Sequence, residues 1–126
     1  HTSPEGVSGS RYYLHARNLA DAWLHLAQNL EPAAYSSGAV RPDRFHIVGE
    51  REVLNTELVE MVAGFMGMPF EIEPVSFHSS RPGHDLRYAL DGSKIADFGW
   101  TPPVPLEDSL RKTVKWSLEH PEWLLG

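Results

Sequence analysis

The sequence predicts a small mixed α/β domain, and three observations carry that expectation. Apolar runs with helical spacing alternate with short strand-like runs along the 126 residues. Gly, Pro, Asn and Ser punctuate the joints between those runs. The composition, 41% hydrophobic and 22% charged, is that of an ordinary globular chain. A chain of this length forms one domain and takes about two-thirds of its unfolded surface out of water.

In chain order, residues 1–10 are rich in Ser, Gly and Pro and read as a flexible lead-in, with the domain proper over 11–126. Tyr12 to Leu14 reads as a short strand. Asn18 is the expected N-cap of a first helix, whose apolar stripe is Leu19, Ala20, Trp23, Leu24, Leu26, Ala27 and Leu30. Glu31 to Pro42 carries Pro, Gly and paired Ser and is expected to be a loop. Phe45 to Val48 alternates like a strand that Gly49 ends. Asn55 or Thr56 opens a second helix, buried along Leu58, Val59, Met61, Val62, Phe65 and Met66, and Gly67 stops it. A Met-and-Phe stripe of this kind is core packing.

Phe70 to Phe77 is strand-like, with Pro74 placing it at an edge. Arg87 to Leu90 is a further short strand, and Gly92 to Phe98 a short helix. The last helix starts near Leu106, buries Leu106, Leu110, Val114 and Leu118, and ends at Pro121. On its exposed side Glu107–Arg111 and Asp108–Lys112 are spaced for i, i+4 ion pairs.

Several function classes are excluded at this stage. A net charge of −6 opposes a general grip on nucleic acid. No run of 18 apolar residues is present, so no membrane-spanning helix is expected. The absence of cysteine removes disulfides and thiolate metal sites and fits a reducing cytoplasm. Seven histidines raise the question of a metal. His78, His84 and Asp85, or His15 and His25, lack the tight-turn or helical spacing of a ligand set, so no metal is expected. No nucleophile-elbow motif points to a serine hydrolase.

The chemistry concentrates in Arg81-Pro82-Gly83-His84-Asp85, followed by Arg87 and Tyr88. Pro82 and Gly83 shape a turn, while the guanidinium of Arg81 offers planar, bidentate recognition of phosphate or carboxylate. A local cationic loop in an acidic chain suits an anionic small ligand. The plainer alternative is a surface turn with solvated charges.

This stretch resembles the carboxyl-terminal signature of nucleotide-sugar dehydratases, above all the dTDP-glucose 4,6-dehydratase type. They belong to the extended short-chain dehydrogenase/reductase group, which also holds the sugar epimerases. The similarity continues through Ala89, Asp91, Ser93-Lys94-Ile95, Gly99-Trp100 and Pro102, then Leu110 to Val114, Trp116 and Pro121-Glu122-Trp123. It implies that the Arg81–Asp85 loop lies over a nucleotide sugar, with Arg81 on a phosphate or the ribose and His84 beside it. Arg11 stands where relatives place an Arg on the substrate diphosphate, and Asn55 where they place an Asn reaching the substrate. Asn55 as a helix cap is an equally good reading. Tyr88 is expected to pack with its hydroxyl at the surface, Arg87 has no assigned role, and Asp91 is expected to start a helix.

The same resemblance implies a partial enzyme. The family needs a Gly-rich turn for NAD and a Tyr followed four residues later by Lys. Gly6 and Gly9 are followed by Tyr12, and Gly64 and Gly67 by Phe70, which does not make that turn. Four residues after Tyr12, Tyr13, Tyr35 and Tyr88 stand Ala16, Arg17, Ala39 and Gly92. The expected identity is therefore the substrate-binding portion of such an enzyme, without its dinucleotide-binding Rossmann half, catalytically inactive, with NAD serving only the intact protein. A 4-epimerase portion, or a stand-alone interaction module, are the alternatives. Trp23, Leu24, Tyr12 and Tyr13 are expected to form an uncovered apolar face that drives homo-oligomer formation.

Overall fold

The computed structural model describes residues 1–31, 43–75 and 85–124. The expected loop of Glu31 to Pro42 falls outside the described residues beyond Glu31, as do Arg81 to His84 and the end of the Phe70–Phe77 segment.

Three two-residue strands form the sheet: β1 (Ser10–Arg11), β2 (Val53–Leu54) and β3 (Arg87–Tyr88), in the order β2-β1-β3. β1 runs antiparallel to β2, with Ser10 opposite Leu54, and parallel to β3, with Ser10 opposite Arg87. The helices are α1 (Ala16–Asn29), α2 (Asn55–Met66), α3 (Ser93–Asp97) and α4 (Leu106–Glu119), followed by a 3-10 turn at Pro121–Trp123. The mixed α/β expectation is met.

Two centres hold these elements together. Ala22 of α1, Ile95 of α3 and Trp100 form one cluster, with Leu26, Phe45 and Ile47 packed on it. The Trp100 indole N–H donates to Asp21 at 2.7 Å, which lets a large ring be buried without orphaning its donor. The second centre is the packing of α2 on α4, where Ala63 and Val114 are buried and Arg111 lies 4.6 Å over the Phe65 ring. Arg111 thus packs on an aromatic face instead of pairing with Glu107. The i, i+4 ion pair found on α4 is Lys115–Glu119, at 3.8 Å.

α2 ends as its sequence dictates. Gly67 adopts φ 66° and ψ 28°, a left-handed turn that glycine enters without steric cost, and its N–H returns to the carbonyls of Ala63 and Gly64.

Other elements differ from the sequence expectation. α1 begins two residues before Asn18, and its cap is His15, whose Nδ1 accepts from the Arg17 N–H at 3.0 Å. Asn18 is instead buried, 3% exposed, and donates from Nδ2 to the Val104 carbonyl at 2.8 Å. Of the expected stripe of α1, Leu26 packs on the core while Leu19, Trp23 and Leu24 are exposed, and Asn18 and Ala22 are the buried residues. In α4, Leu106, Ser109 and Val114 are buried, whereas Leu118 is exposed.

The strand of Tyr12 to Leu14 is displaced to Ser10–Arg11. Phe45 to Val48 and residues 70–75 join no ladder among the described residues. A strand exists only through a neighbour that accepts its hydrogen bonds, and alternation cannot supply one. Within residues 1–10 individual contacts are present. Thr2 bridges Ser8, Ser3 is buried, and the Thr2 N–H donates to the Val75 carbonyl at 3.0 Å.

Candidate functional site

Gly9, buried just before β1, is the point on which the site is organised. A Cβ there would stand 3.1 Å from Asn55 Nδ2, 3.1 Å from the Leu86 carbonyl and 3.7 Å from an Arg11 guanidinium nitrogen. Glycine therefore allows an arginine, an asparagine and a returning backbone to meet. β1 supplies Arg11, the β2–α2 junction supplies Asn55, and the chain entering β3 supplies Asp85 and Leu86.

The Arg11 guanidinium is fixed from below. It donates to the carbonyls of Ser10 at 2.6 Å, Leu86 at 2.9 Å and, more weakly, Asp85 at 3.4 Å. Its central carbon lies 4.1 Å from the centroid of the Tyr88 ring, a cation–π distance. Five N–H donors minus these three bonds leave two for another acceptor, counting bonds among the described residues.

Asn55 does not act as a side-chain cap. It is the first residue of α2, Leu54 occupies the cap position, and no side chain bonds there. Its backbone N–H donates to the Gly9 carbonyl at 2.7 Å. Its Oδ1 accepts from the Tyr13 hydroxyl at 2.7 Å. Burial pushes the Tyr13 phenol up, with Arg11 pulling the other way, so Tyr13 stays a donor to Asn55 at neutral pH.

Of the residues singled out in the sequence, Arg11, Asn55 and Asp85 are thus brought to one place. Arg81, Pro82, Gly83 and His84 lie outside the described residues. Asp91 starts α3 as expected, accepting from the Ser93 N–H at 2.9 Å, and this bond lowers its carboxyl pKa. Tyr12 and Tyr13 are half-buried and do not extend the exposed face of α1.

An ion-pair clamp beside Arg11 was not legible in the sequence. Glu52 receives Arg87 Nε at 2.7 Å and a second Arg87 nitrogen at 2.8 Å, and Ser10 donates its hydroxyl to the same carboxylate at 2.5 Å. The fork joins β3 to the segment entering β2. Arg11, Arg87, Tyr12 and Tyr88 line one open cleft of about 350 Å³, with Val48 and Leu90 in its wall.

The hydrogen bonds from Arg87 and then Ser10 hold the Glu52 carboxyl down to about 2. A depressed folded-state pKa stabilises the fold above the unfolded value near 4.5, and that contribution is lost as pH falls through about 2. The pair is solvent-exposed, so the effect is modest. Urea midpoints of wild type and Glu52→Gln are expected to converge between pH 4.5 and pH 2. A constant gap across that window removes the clamp from the stability of the fold.

The described strand–helix junctions do not carry the Gly-rich turn of a dinucleotide site, and the one between β3 and α3 holds a single glycine, Gly92. Such a site needs glycines between a strand and a helix, where amides approach the pyrophosphate. Here Leu54 leads directly into Asn55, and no glycine separates β1 from α1. Among the described residues no group of three His, Asp or Glu side chains could hold a metal ion, and no helix is long and apolar enough to cross a membrane.

No family model matches the chain. A dTDP-glucose 4,6-dehydratase from Actinoplanes is 38% identical over 113 residues, which span 88% of this chain and 34% of that enzyme. The Escherichia coli dTDP-glucose 4,6-dehydratase is 32% identical over 113 residues, or 80% of this chain and 31% of its own length. The crystal structure of dTDP-glucose 4,6-dehydratase from Bacillus anthracis in complex with NAD superposes with a TM-score of 0.70 at 28% identity. That match covers 97% of this chain and 35% of the other. RMD from Pseudomonas aeruginosa, complexed with NADPH, shares the fold with a TM-score of 0.63 at 23% identity.

The chain spans about a third of the length of the relatives it matches. By these similarities the chain belongs to the nucleotide-sugar epimerase/dehydratase family of extended short-chain dehydrogenases/reductases and resembles the carboxyl-terminal portion of a dTDP-glucose 4,6-dehydratase.

Proposed function

We propose that this chain is the nucleotide-sugar-recognising portion of an NAD-dependent nucleotide-sugar 4,6-dehydratase, inactive by itself. The observation that carries the reading is the meeting of Arg11 and Asn55 around Gly9, beside the backbone carbonyls of Asp85 and Leu86. Arg11 is pre-oriented by three carbonyls and keeps donors for a diphosphate. On the family resemblance, Arg81 supplies a second cation to the same group and His84 a polar contact. The protein's share of the work is binding and orientation. Hydride chemistry belongs to NAD in the dinucleotide-binding half, against which the apolar side of α1 packs.

Titration with dTDP, followed by amide chemical shifts, tests the reading. The wild-type chain is expected to bind in the millimolar range, because half the walls of the pocket lie elsewhere. Arg11→Ala should weaken binding about ten- to hundredfold, the cost of one charge-assisted bidentate contact at roughly 1.5–3 kcal/mol. Thymidine, which lacks the diphosphate, should not distinguish the two proteins. Equal dTDP affinity in a folded Arg11→Ala chain overturns the site, and turnover of dTDP-glucose by the chain supplied with NAD overturns its inactivity.

A further inference from the structure

Between the first turns of α1 and α4 lies a small, partly open cavity of about 10 Å³, lined by Asn18, Glu50, Val104, Leu106 and Ser109 among others. Two side chains in its wall are almost fully buried, Asn18 at 3% and Ser109 at 2% exposure. Asn18 Oδ1 and Ser109 Oγ have no hydrogen-bond partner among the described residues. The orientation of the Asn18 amide is settled by its other end. The Val104 carbonyl can only accept, so it must face Nδ2, which leaves Oδ1 as the orphaned acceptor. A buried polar atom without a partner costs as much as a lost hydrogen bond, and two such atoms in one small cavity share a single remedy.

We propose that this cavity is a binding site for one structural water molecule. The volume is that of a single water, and the wall offers one obligate acceptor and one hydroxyl that can donate or accept. The water donates one hydrogen to Asn18 Oδ1 and accepts from the Ser109 hydroxyl, joining the start of α1 to the start of α4.

The location gives the water a purpose. α4 has Pro105 at its cap, which contributes no side-chain bond. Its N-terminus is held from outside instead, by Glu50 accepting the Leu106 N–H at 2.9 Å and by Asn18 gripping Val104. The bridging water extends that grip by one turn into the helix, to Ser109.

Ser109→Ala separates a bridged hydroxyl from an orphaned one. If water bridges the pair, removing the hydroxyl strands it, and the unfolding equilibrium constant should rise roughly two- to tenfold. If Oγ is an orphan, deleting it relieves a buried unsatisfied group, and the variant becomes more stable than wild type. Water-selective cross-relaxation NMR gives the second readout. A long-lived water signal at the Ser109 and Asn18 side-chain protons is expected in the wild-type chain, weakened in Ser109→Ala. A more stable Ser109→Ala, or no such signal in the wild type, overturns the proposal.

Discussion

Gly49→Ala is expected to cost about 3 kcal/mol, at the upper end of overpacking penalties and a large share of the stability of a small domain. A Cβ built on Gly49 would stand 2.1 Å from the Tyr13 carbonyl oxygen and 2.9 Å from its carbon. Both are backbone atoms, so no rotamer change can move them aside. The segment after β1 would have to shift, and with it Tyr13 and its hydrogen bond to Asn55. Gly64→Ala is the matched control. It lies inside α2 with nothing within 4 Å of the new methyl, so it should stabilise the helix by about 0.5–1 kcal/mol. Urea unfolding followed by circular dichroism checks both. A Gly49→Ala midpoint equal to that of wild type would mean the two backbones do not approach so closely.

That close approach shows where sequence reading stops. Gly49 is visible in the sequence as the end of an alternating run, and only the fold reveals that the chain packs there against Tyr13. Local signals were read well. Gly67 is a left-handed cap, Asp91 prepares α3, and α2 and α4 start where turn chemistry and apolar spacing place them. Non-local choices were not. Asn18 has the chemistry of a cap, yet its amide is used on Val104, far away in sequence, and His15 takes the cap. Phe45 to Val48 alternates, but no described strand pairs with it.

The site divides the same way. Arg11 and Asn55 were marked by the resemblance, and the fold brings them to one glycine. The Glu52–Arg87–Ser10 clamp joins charges whose spacing along the chain carries no sign of their pairing.

The side of α1 turned to solvent yields the other large effect. Leu19, Trp23 and Leu24, with Ala16, Ala20 and Ala27, make an apolar groove on a helix whose inward residues include a polar Asn18. Trp23 is 66% exposed and Leu24 61%. A helix that presents its larger apolar groups outward is built to be covered. On the function proposed above, the dinucleotide-binding half of the intact enzyme would be that cover. In the isolated chain the available cover is a second copy of the same helix, so concentration-dependent self-association is expected. Burying a Trp or Leu side chain is worth about 1.5–3 kcal/mol. The double substitution Trp23→Glu with Leu24→Glu removes such a pair from each copy and should weaken association more than about a hundredfold. Both positions point away from the Ala22–Ile95–Trp100 cluster, so the fold should survive, as circular dichroism would report. Sedimentation velocity is the measurement. A wild-type chain that stays strictly monomeric at high concentration would show that this face does not drive association, and an unchanged association constant in the double variant would place the contact elsewhere.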